Sequence, residues 1–129
     1  MIYLCSIQEE DKLAGLKDIS KAIGSPEAFT AKILQQLVRS ELLQSLRGPT
    51  GGFKLVNRPI TLLEVVIAID GEGIVKKCVL GLEECSGDHP CPAHDKFIAI
   101  RDHLKGVLTT TQLSDLKGGI IDGNRFLKL

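Results

Sequence analysis

The chain has 129 residues, enough for one hydrophobic core of ordinary size. Its 16 basic residues balance its 16 acidic ones, so the total charge favours neither a nucleic-acid partner nor a membrane surface. The sequence has no apolar run of the roughly 18 residues that span a membrane and no signal peptide, so we expect a cytoplasmic protein with no membrane partner and with reduced cysteines.

A helix-turn-helix is predicted near the start of the chain. The apolar segment Met1–Ile7 is typical of the second half of a helix whose first turns are missing. A helix with apolar residues at three- and four-residue spacing then ends at Gly24. Ser-Pro-Glu at 25–27 supplies a capping residue, a proline and an acid, and starts a helix that runs to about Ser40. Two helices joined by such a tight turn are typical of this motif.

The helix that ends near Ser40 has two different faces. Its apolar side, which we expect to face the core, carries Phe29, Ile33, Leu34, Leu37 and Val38. The opposite side carries Ala28, Ala31, Lys32, Gln35 and Arg39. Small residues let a helix approach a DNA groove closely, and long polar residues reach base edges and phosphates. The alternative is an ordinary amphipathic helix with a solvated face.

A β-hairpin is predicted directly after this helix. Two short apolar runs, Leu42–Leu46 and Phe53–Val56, flank the sequence "RGPTGG". An arginine beside a glycine-rich tip, at this place in the chain, predicts a wing that follows the DNA backbone. The candidate DNA-binding residues of the wing are Arg47, Gly48, Pro49, Gly51 and Gly52. The segment 25–58 is locally basic, which favours the same interpretation.

Further helices are predicted on both sides of a cysteine-containing loop. Thr61 and Glu64 have the spacing of a capping box, which starts a helix through Ile69. A longer helix opens at Pro92 and has an apolar seam of Phe97, Ile100, Leu104 and Val107. This seam predicts a homodimer contact over about 92–108, and burial against the same domain is the alternative. A final turn through Leu116 and an irregular tail follow.

The loop "CVLGLEECSGDHPCPAH" at 78–94 holds three cysteines. Six residues separate Cys78 from Cys85, five separate Cys85 from Cys91, and two separate Cys91 from His94. The reducing compartment disfavours a disulfide, and the wide spacing makes a zinc site possible but not indicated. Three thiolates and one imidazole can complete an iron–sulfur cluster. A set of reactive, cluster-free thiols is the alternative.

These segments together resemble the Rrf-two family of bacterial winged-helix regulators. The resemblance covers roughly residues 10 to 117 and rests on "LKDISKAIGSP", "LQQLVRSELLQSLRGPTGGFKL", "ITLLEVVIAIDG", the cysteine loop and "LTTTQLSDL". It implies a homodimer whose subunits each contribute a winged helix-turn-helix, a sensor loop and a long dimerisation helix. Several members bind a 2Fe–2S or 4Fe–4S cluster through three cysteines, and in some a histidine three positions later is the fourth ligand. Carried over, the ligands of the cluster iron are Cys78, Cys85, Cys91 and His94.

We therefore predict a mainly α fold with a small β-hairpin wing, in which a winged helix-turn-helix DNA-binding domain precedes a long C-terminal dimerisation helix. The expected divisions are the DNA-binding domain at 1–72, the sensor loop at 73–94, the dimerisation helix with its following turn at 92–117, and a flexible tail at 118–129.

The predicted function is transcription regulation at a palindromic operator in double-stranded DNA. The 2Fe–2S cluster, or a 4Fe–4S cluster, would report redox, iron–sulfur or nitric-oxide status, and its oxygen lability predicts loss during purification. One alternative is a cluster-free regulator of the same fold that senses thiol oxidation or a metabolite, and another is an iron–sulfur electron-transfer protein. The sequence contains no catalytic constellation, so no enzyme activity is expected.

Overall fold

The computed structural model describes residues 1–7, 12–83 and 85–127, and most of this backbone is helical. The described helices and strands, in chain order, are α1 (Ile2–Ile7), α2 (Leu16–Ile23), α3 (Glu27–Arg39), β1 (Leu43–Leu46), β2 (Gly52–Leu55), α4 (Leu62–Asp70), α5 (Gly73–Lys76), α6 (His94–Thr110) and α7 (Leu113–Ile121). The backbone forms two compact units, the first comprising residues 1–60 with 112–129 and the second residues 61–111. This division into compact units does not test the functional divisions expected from the sequence, which therefore stay a prediction.

The first unit contains the predicted helix-turn-helix. Helix α2 ends in a left-handed residue, Gly24, with a φ of 65°, and α3 starts immediately after Pro26, whose φ of −57° suits a helix entrance. Helix α3 packs against α2 and buries Leu34 and Leu37, which are 3% and 2% exposed. Burial of this apolar line fixes which face of α3 remains outside.

One residue of the predicted core face is exposed instead. Phe29 is 59% exposed, whereas the next residue, Thr30, is 3% exposed. The buried line therefore runs through Thr30, Leu34 and Leu37, at four- and three-residue spacing. The prediction for Phe29 is wrong because the apolar arc of the sequence is wider than the arc that α2 covers.

The hairpin has the predicted position: β1 begins one residue later than expected, and β2 lies one residue earlier. Strands β1 and β2 are antiparallel, and their register pairs Leu43 with Leu55 and Leu46 with Gly52. Both members of the first pair are buried, at 2% and 6% exposure. Ala14 adds a bridge at the edge of β2, since its N–H donates to the Phe53 carbonyl at 3.0 Å and its carbonyl accepts from the Phe53 N–H at 2.9 Å. These bonds attach the hairpin to the segment before α2.

The end of the first unit differs from the sequence prediction. Helix α7 continues to Ile121, five residues beyond Leu116, and it packs against α1. The expectation of an irregular chain from 118 onward is therefore wrong for residues 118–121. Two glycines inside the helix cost about 1 kcal/mol each relative to alanine, but packing of the helix against α1, with Leu113 at 3% exposure, offsets this cost.

The second unit holds the helices on either side of the cysteine loop. The predicted capping box is present, because the Glu64 N–H donates to Thr61 Oγ1 at 3.2 Å and the Thr61 N–H donates to Glu64 Oε2 at 2.8 Å. Helices α4 and α5 both pack against α6; the one-turn helix α5 is not predicted from the sequence. Within the described ranges, no helix is both long and apolar enough to cross a membrane.

Candidate functional site

The four predicted ligands line one cavity in the second unit. Its volume is about 300 Å³, and its wall includes Cys78, Cys85, Cys91 and His94. Cys78 lies just after α5, His94 is the first residue of α6, and the other two cysteines lie in the intervening loop. Cys78 and His94 are buried, at 6% and 9% exposure, while Cys85 and Cys91 are half-buried. Residues up to sixteen positions apart in the sequence thus meet in one place.

Two short backbone turns position these side chains. The Gly81 N–H donates to the Cys78 carbonyl at 3.0 Å, and the φ of 80° at Gly81 is one that favours glycine. At the other end of the loop, the His94 N–H donates to the Cys91 carbonyl at 2.9 Å. The first turn directs the chain back after Cys78, and the second places His94 at the start of α6. His89 is exposed and does not line the cavity.

The four donors form two close pairs. Cys78 Sγ lies 3.5 Å from Cys91 Sγ, and Cys85 Sγ lies 3.3 Å from His94 Nδ1. In the part of the chain that the structure describes, no group of three or more His, Cys, Asp or Glu side chains is arranged to hold a single metal ion. The geometry is therefore that of paired donors along one wall, and the described side chains are not a preformed tetrahedral site for one ion.

The first pair has opposite pKa shifts. The backbone N–H of Leu80 is the main cause that lowers the pKa of Cys78 below its usual 9.0, with the Cys91 thiol and the Leu82 N–H adding to it against the effect of burial. For Cys91, the Ala93 N–H favours the thiolate, but the neighbouring Cys78 sulfur and loss of water together raise the pKa above 9.0. Cys78 is thus the more acidic thiol of the pair.

Arg101 is a further residue of this site, and the sequence analysis missed it. Arg101 lines the cavity with the four donors, and hydrogen bonding with the Cys85 thiol is the main cause that raises the pKa of Arg101. Arg101 lies seven residues after His94 on α6, which places both on the same face of the helix. The seven-residue spacing from His94 is the signal in the sequence, but Arg101 lies outside the apolar seam predicted on this helix.

Apolar residues complete the wall of the cavity. Phe97, Ile100 and Leu104 all line it, and they remain 43%, 62% and 36% exposed. With Val107, at 44% exposure, they form the seam predicted on α6. The cysteine cavity and the exposed apolar seam therefore share side chains on one helix.

The candidate DNA-binding residues lie in the first unit, on α3 and the hairpin, and β1 packs against α3. Those on α3 are exposed except for half-buried Ala31: Ala28, Lys32, Gln35 and Arg39. On the hairpin, Arg47, Gly48 and Pro49 are exposed, whereas Gly51 and Gly52 are half-buried. Exposed Phe29 extends the outer face of α3, and the sequence analysis did not assign it there.

The two glycines after the tip have a close-packing role in the hairpin. A Cβ on Gly52 would lie 2.6 Å from the Ala14 carbonyl oxygen, and a Cβ on Gly51 would overlap the Leu46 carbonyl oxygen. Both obstacles are backbone atoms, which cannot rotate away as a flexible side chain can. Glycine is therefore required here by the hairpin itself, and direct DNA contact by Gly51 and Gly52 stays a prediction.

Comparison with known proteins identifies the family. Residues 1–118 match the family described as Rrf2, iron-dependent transcriptional regulator. The chain belongs to the Rrf2 family. The HTH-type transcriptional regulator IscR of Photorhabdus laumondii is 30% identical to this Rrf2 chain over 103 residues, which are 78% of the chain and 62% of that relative. The chain thus spans about three fifths of the length of this relative.

Solved structures share the fold of this Rrf2 chain. The cysteine regulator CymR of B. subtilis matches it with a TM-score of 0.72 and 26% identity, over 91% of this chain and 86% of CymR. T. potens IscR matches with a TM-score of 0.71 over 96% of this chain and 82% of that chain, and at 16% identity this likeness concerns the fold alone. The predicted fold class, a winged helix-turn-helix with a mainly helical remainder, is confirmed.

Proposed function

We propose that this Rrf2 chain regulates transcription as a DNA-binding homodimer and senses redox, iron–sulfur or nitric-oxide status through an iron–sulfur cluster held by the cysteine loop. The observation that carries the proposal is the arrangement of Cys78, Cys85, Cys91 and His94 as two donor pairs in a cavity whose wall includes the exposed seam of α6. The candidate metal donors thus line the same cavity as side chains of a surface suited to a second subunit.

The donor geometry favours a 2Fe–2S cluster over a single ion. In such a cluster each iron takes two protein ligands, and two ligands about 2.3 Å from one tetrahedral metal stand about 3.7 Å apart. The separations of 3.5 Å for Cys78–Cys91 and 3.3 Å for Cys85–His94 are close to this value. Cys78 and Cys91 would hold one iron and Cys85 and His94 the other, with a 4Fe–4S cluster as the alternative. When bound, the cluster would supply reversible one-electron chemistry.

The residues of the chain provide the coupling to DNA. His94 begins α6, and the backbone bond to the Cys91 carbonyl ties its position to the loop. A change in how these side chains are held therefore acts on the first turn of the helix that carries Phe97, Ile100 and Leu104. If this seam contacts a second copy, the loop biases the arrangement of the two DNA-binding units and hence operator affinity.

On DNA, α3 and the wing have distinct roles. Lys32 and Gln35 are exposed on the outer face of α3 and have the donors and acceptors needed to read base edges in a major groove. Arg39 and Arg47 supply positive charge for phosphates, and Arg47 at the hairpin tip is placed for a narrow minor groove. A homodimer would read two half-sites, so we infer a palindromic operator.

The test is DNA binding by the purified chain before and after anaerobic cluster reconstitution, with duplexes selected from a random-sequence pool. We expect selected duplexes to be palindromic and their affinity to change with cluster occupancy. Arg47→Ala should weaken binding and reduce the magnitude of the salt-dependence slope by about 1, since one phosphate contact is lost. Arg125→Ala removes the same charge from an exposed position far along the chain and is the control. Absence of selective DNA binding in both states would reject the regulator proposal in favour of electron transfer.

A cluster-free thiol sensor is the second candidate, and the Cys78–Cys91 separation of 3.5 Å favours it. A peroxide would take two electrons from this pair, join the sulfurs in a disulfide and leave as water with the two thiol protons. Peptide mass spectrometry after peroxide treatment distinguishes the candidates. A 78–91 disulfide that changes DNA affinity, in a protein that never takes up iron, would replace the cluster proposal by this one.

A further inference from the structure

Arg101 is a cationic residue in the wall of the cavity that holds the four donors. It is half-buried on α6, and interaction with the Cys85 thiol is the main cause that raises the pKa of Arg101. Lys77 also lines the cavity but is exposed to solvent. Nearby Lys76 is already in an ion pair with Glu72. Arg101 therefore combines partial burial and a fixed charge with a place in the cavity wall that it shares with Cys85.

Arginine suits this position for physical reasons. Its guanidinium stays protonated at all physiological pH values and presents several N–H donors in a rigid plane. A guanidinium donor that bonds to Cys85 would restrain that sulfur next to His94 Nδ1, from which it lies 3.3 Å away. Three thiolates with a neutral imidazole leave a loaded site anionic, and reduction adds further negative charge. Charge and hydrogen bonds at the sulfurs are established determinants of cluster potential.

We propose that Arg101 is a positioning residue of the sensor site. It holds the Cys85 sulfur beside His94, and its fixed positive charge favours the anionic ligand set and makes a bound cluster easier to reduce. Its consequence for the cluster rests on the proposed function, whereas its electrostatic effect on Cys85 is a property of the chain alone. The two parts therefore have separate tests.

The first test uses the cluster-free protein. The rate of Cys85 alkylation by anionic iodoacetate is divided by the rate with neutral iodoacetamide, each read by peptide mass spectrometry. The ratio cancels the thiolate fraction, which both reagents share, and reports the local positive potential. Arg101→Gln should lower the ratio by about fivefold, the effect of one unit charge at contact distance in a solvent-like dielectric. Arg101→Lys should fall between the two proteins.

Lys96→Gln is the matched control, because it removes one positive charge from an exposed position of the same helix. The ratio should be unchanged in this variant. An unchanged ratio in Arg101→Gln, or an equal fall in Lys96→Gln, would overturn the proposal. Far-UV circular dichroism identifies a misfolded glutamine variant, and in that case the intermediate ratio of Arg101→Lys decides.

The second test is the midpoint potential of the reconstituted protein. Arg101→Gln should lower it by an amount equivalent to a tenfold change in the ratio of reduced to oxidised cluster, which is 59 mV for a one-electron couple. A loaded variant with the potential of the wild type would refute the effect on reduction. If the wild type takes up no iron while the alkylation ratio still falls in Arg101→Gln, the cluster proposal fails and the positioning role of Arg101 stands.

Discussion

Replacing Ile100 with alanine should weaken dimer formation by roughly a hundredfold. Ile100 is 62% exposed in the single chain, and we infer that a second copy covers it. The substitution removes three carbon groups, which contribute about 0.8 kcal/mol each when fully buried. Scaled to the exposed fraction, this is about 1.5 kcal/mol per subunit and about 3 kcal/mol for a symmetric dimer. Each 1.4 kcal/mol changes the dissociation constant about tenfold.

The assay is sedimentation of the cluster-free protein over a range of concentrations. Ile121→Ala provides the matched control, because Ile121 is 54% exposed but lies on α7, outside the seam. Its dimer dissociation constant should equal that of the wild type. The reasoning is refuted if Ile100→Ala leaves the constant unchanged, or if both variants weaken the dimer to the same extent.

Two further predictions concern the thiol pair and the wing. In the cluster-free protein, the alkylation rate of each cysteine is measured as a function of pH. Cys78 should reach half its maximum rate at a pH below 9.0 and Cys91 at a pH above 9.0, because their pKa values shift in opposite directions. Cys91→Ala should move the Cys78 midpoint upward because the hydrogen bond between the two sulfurs is lost; an unmoved midpoint contradicts the pairing. Gly52→Ala should destabilise the fold by about 1–3 kcal/mol in chemical denaturation, because the added carbon meets the Ala14 backbone. Wild-type stability in this variant would contradict the attachment of the hairpin at Ala14.

Local sequence signals predicted most of the fold. The Thr61–Glu64 capping box is a contact between residues three apart, and the structure contains it. The tight turn at Gly24 and the glycine-rich hairpin are similarly local. Such features follow from short-range hydrogen bonds and backbone preferences, so the sequence alone is sufficient for them.

The errors arose where a distant segment decides the outcome. Helical periodicity places Phe29 on the apolar face of α3, but it does not predict how much of that face α2 covers. The glycines before Ile120 predicted an end to helix α7, and packing against α1 extended it instead. The candidate site shows the same limit: spacing selected Cys78, Cys85, Cys91 and His94, but their division into two pairs depends on how the loop folds.

The content of iron and acid-labile sulfide after anaerobic reconstitution tests the central claim most directly. We predict about two of each per chain in the wild type, as a 2Fe–2S cluster requires, and the same content in Cys5→Ala, whose cysteine lies on α1 outside the site. Cys91→Ala should lose both iron and sulfide. Iron and sulfide retained in Cys91→Ala, or a wild type that takes up neither, would contradict the account.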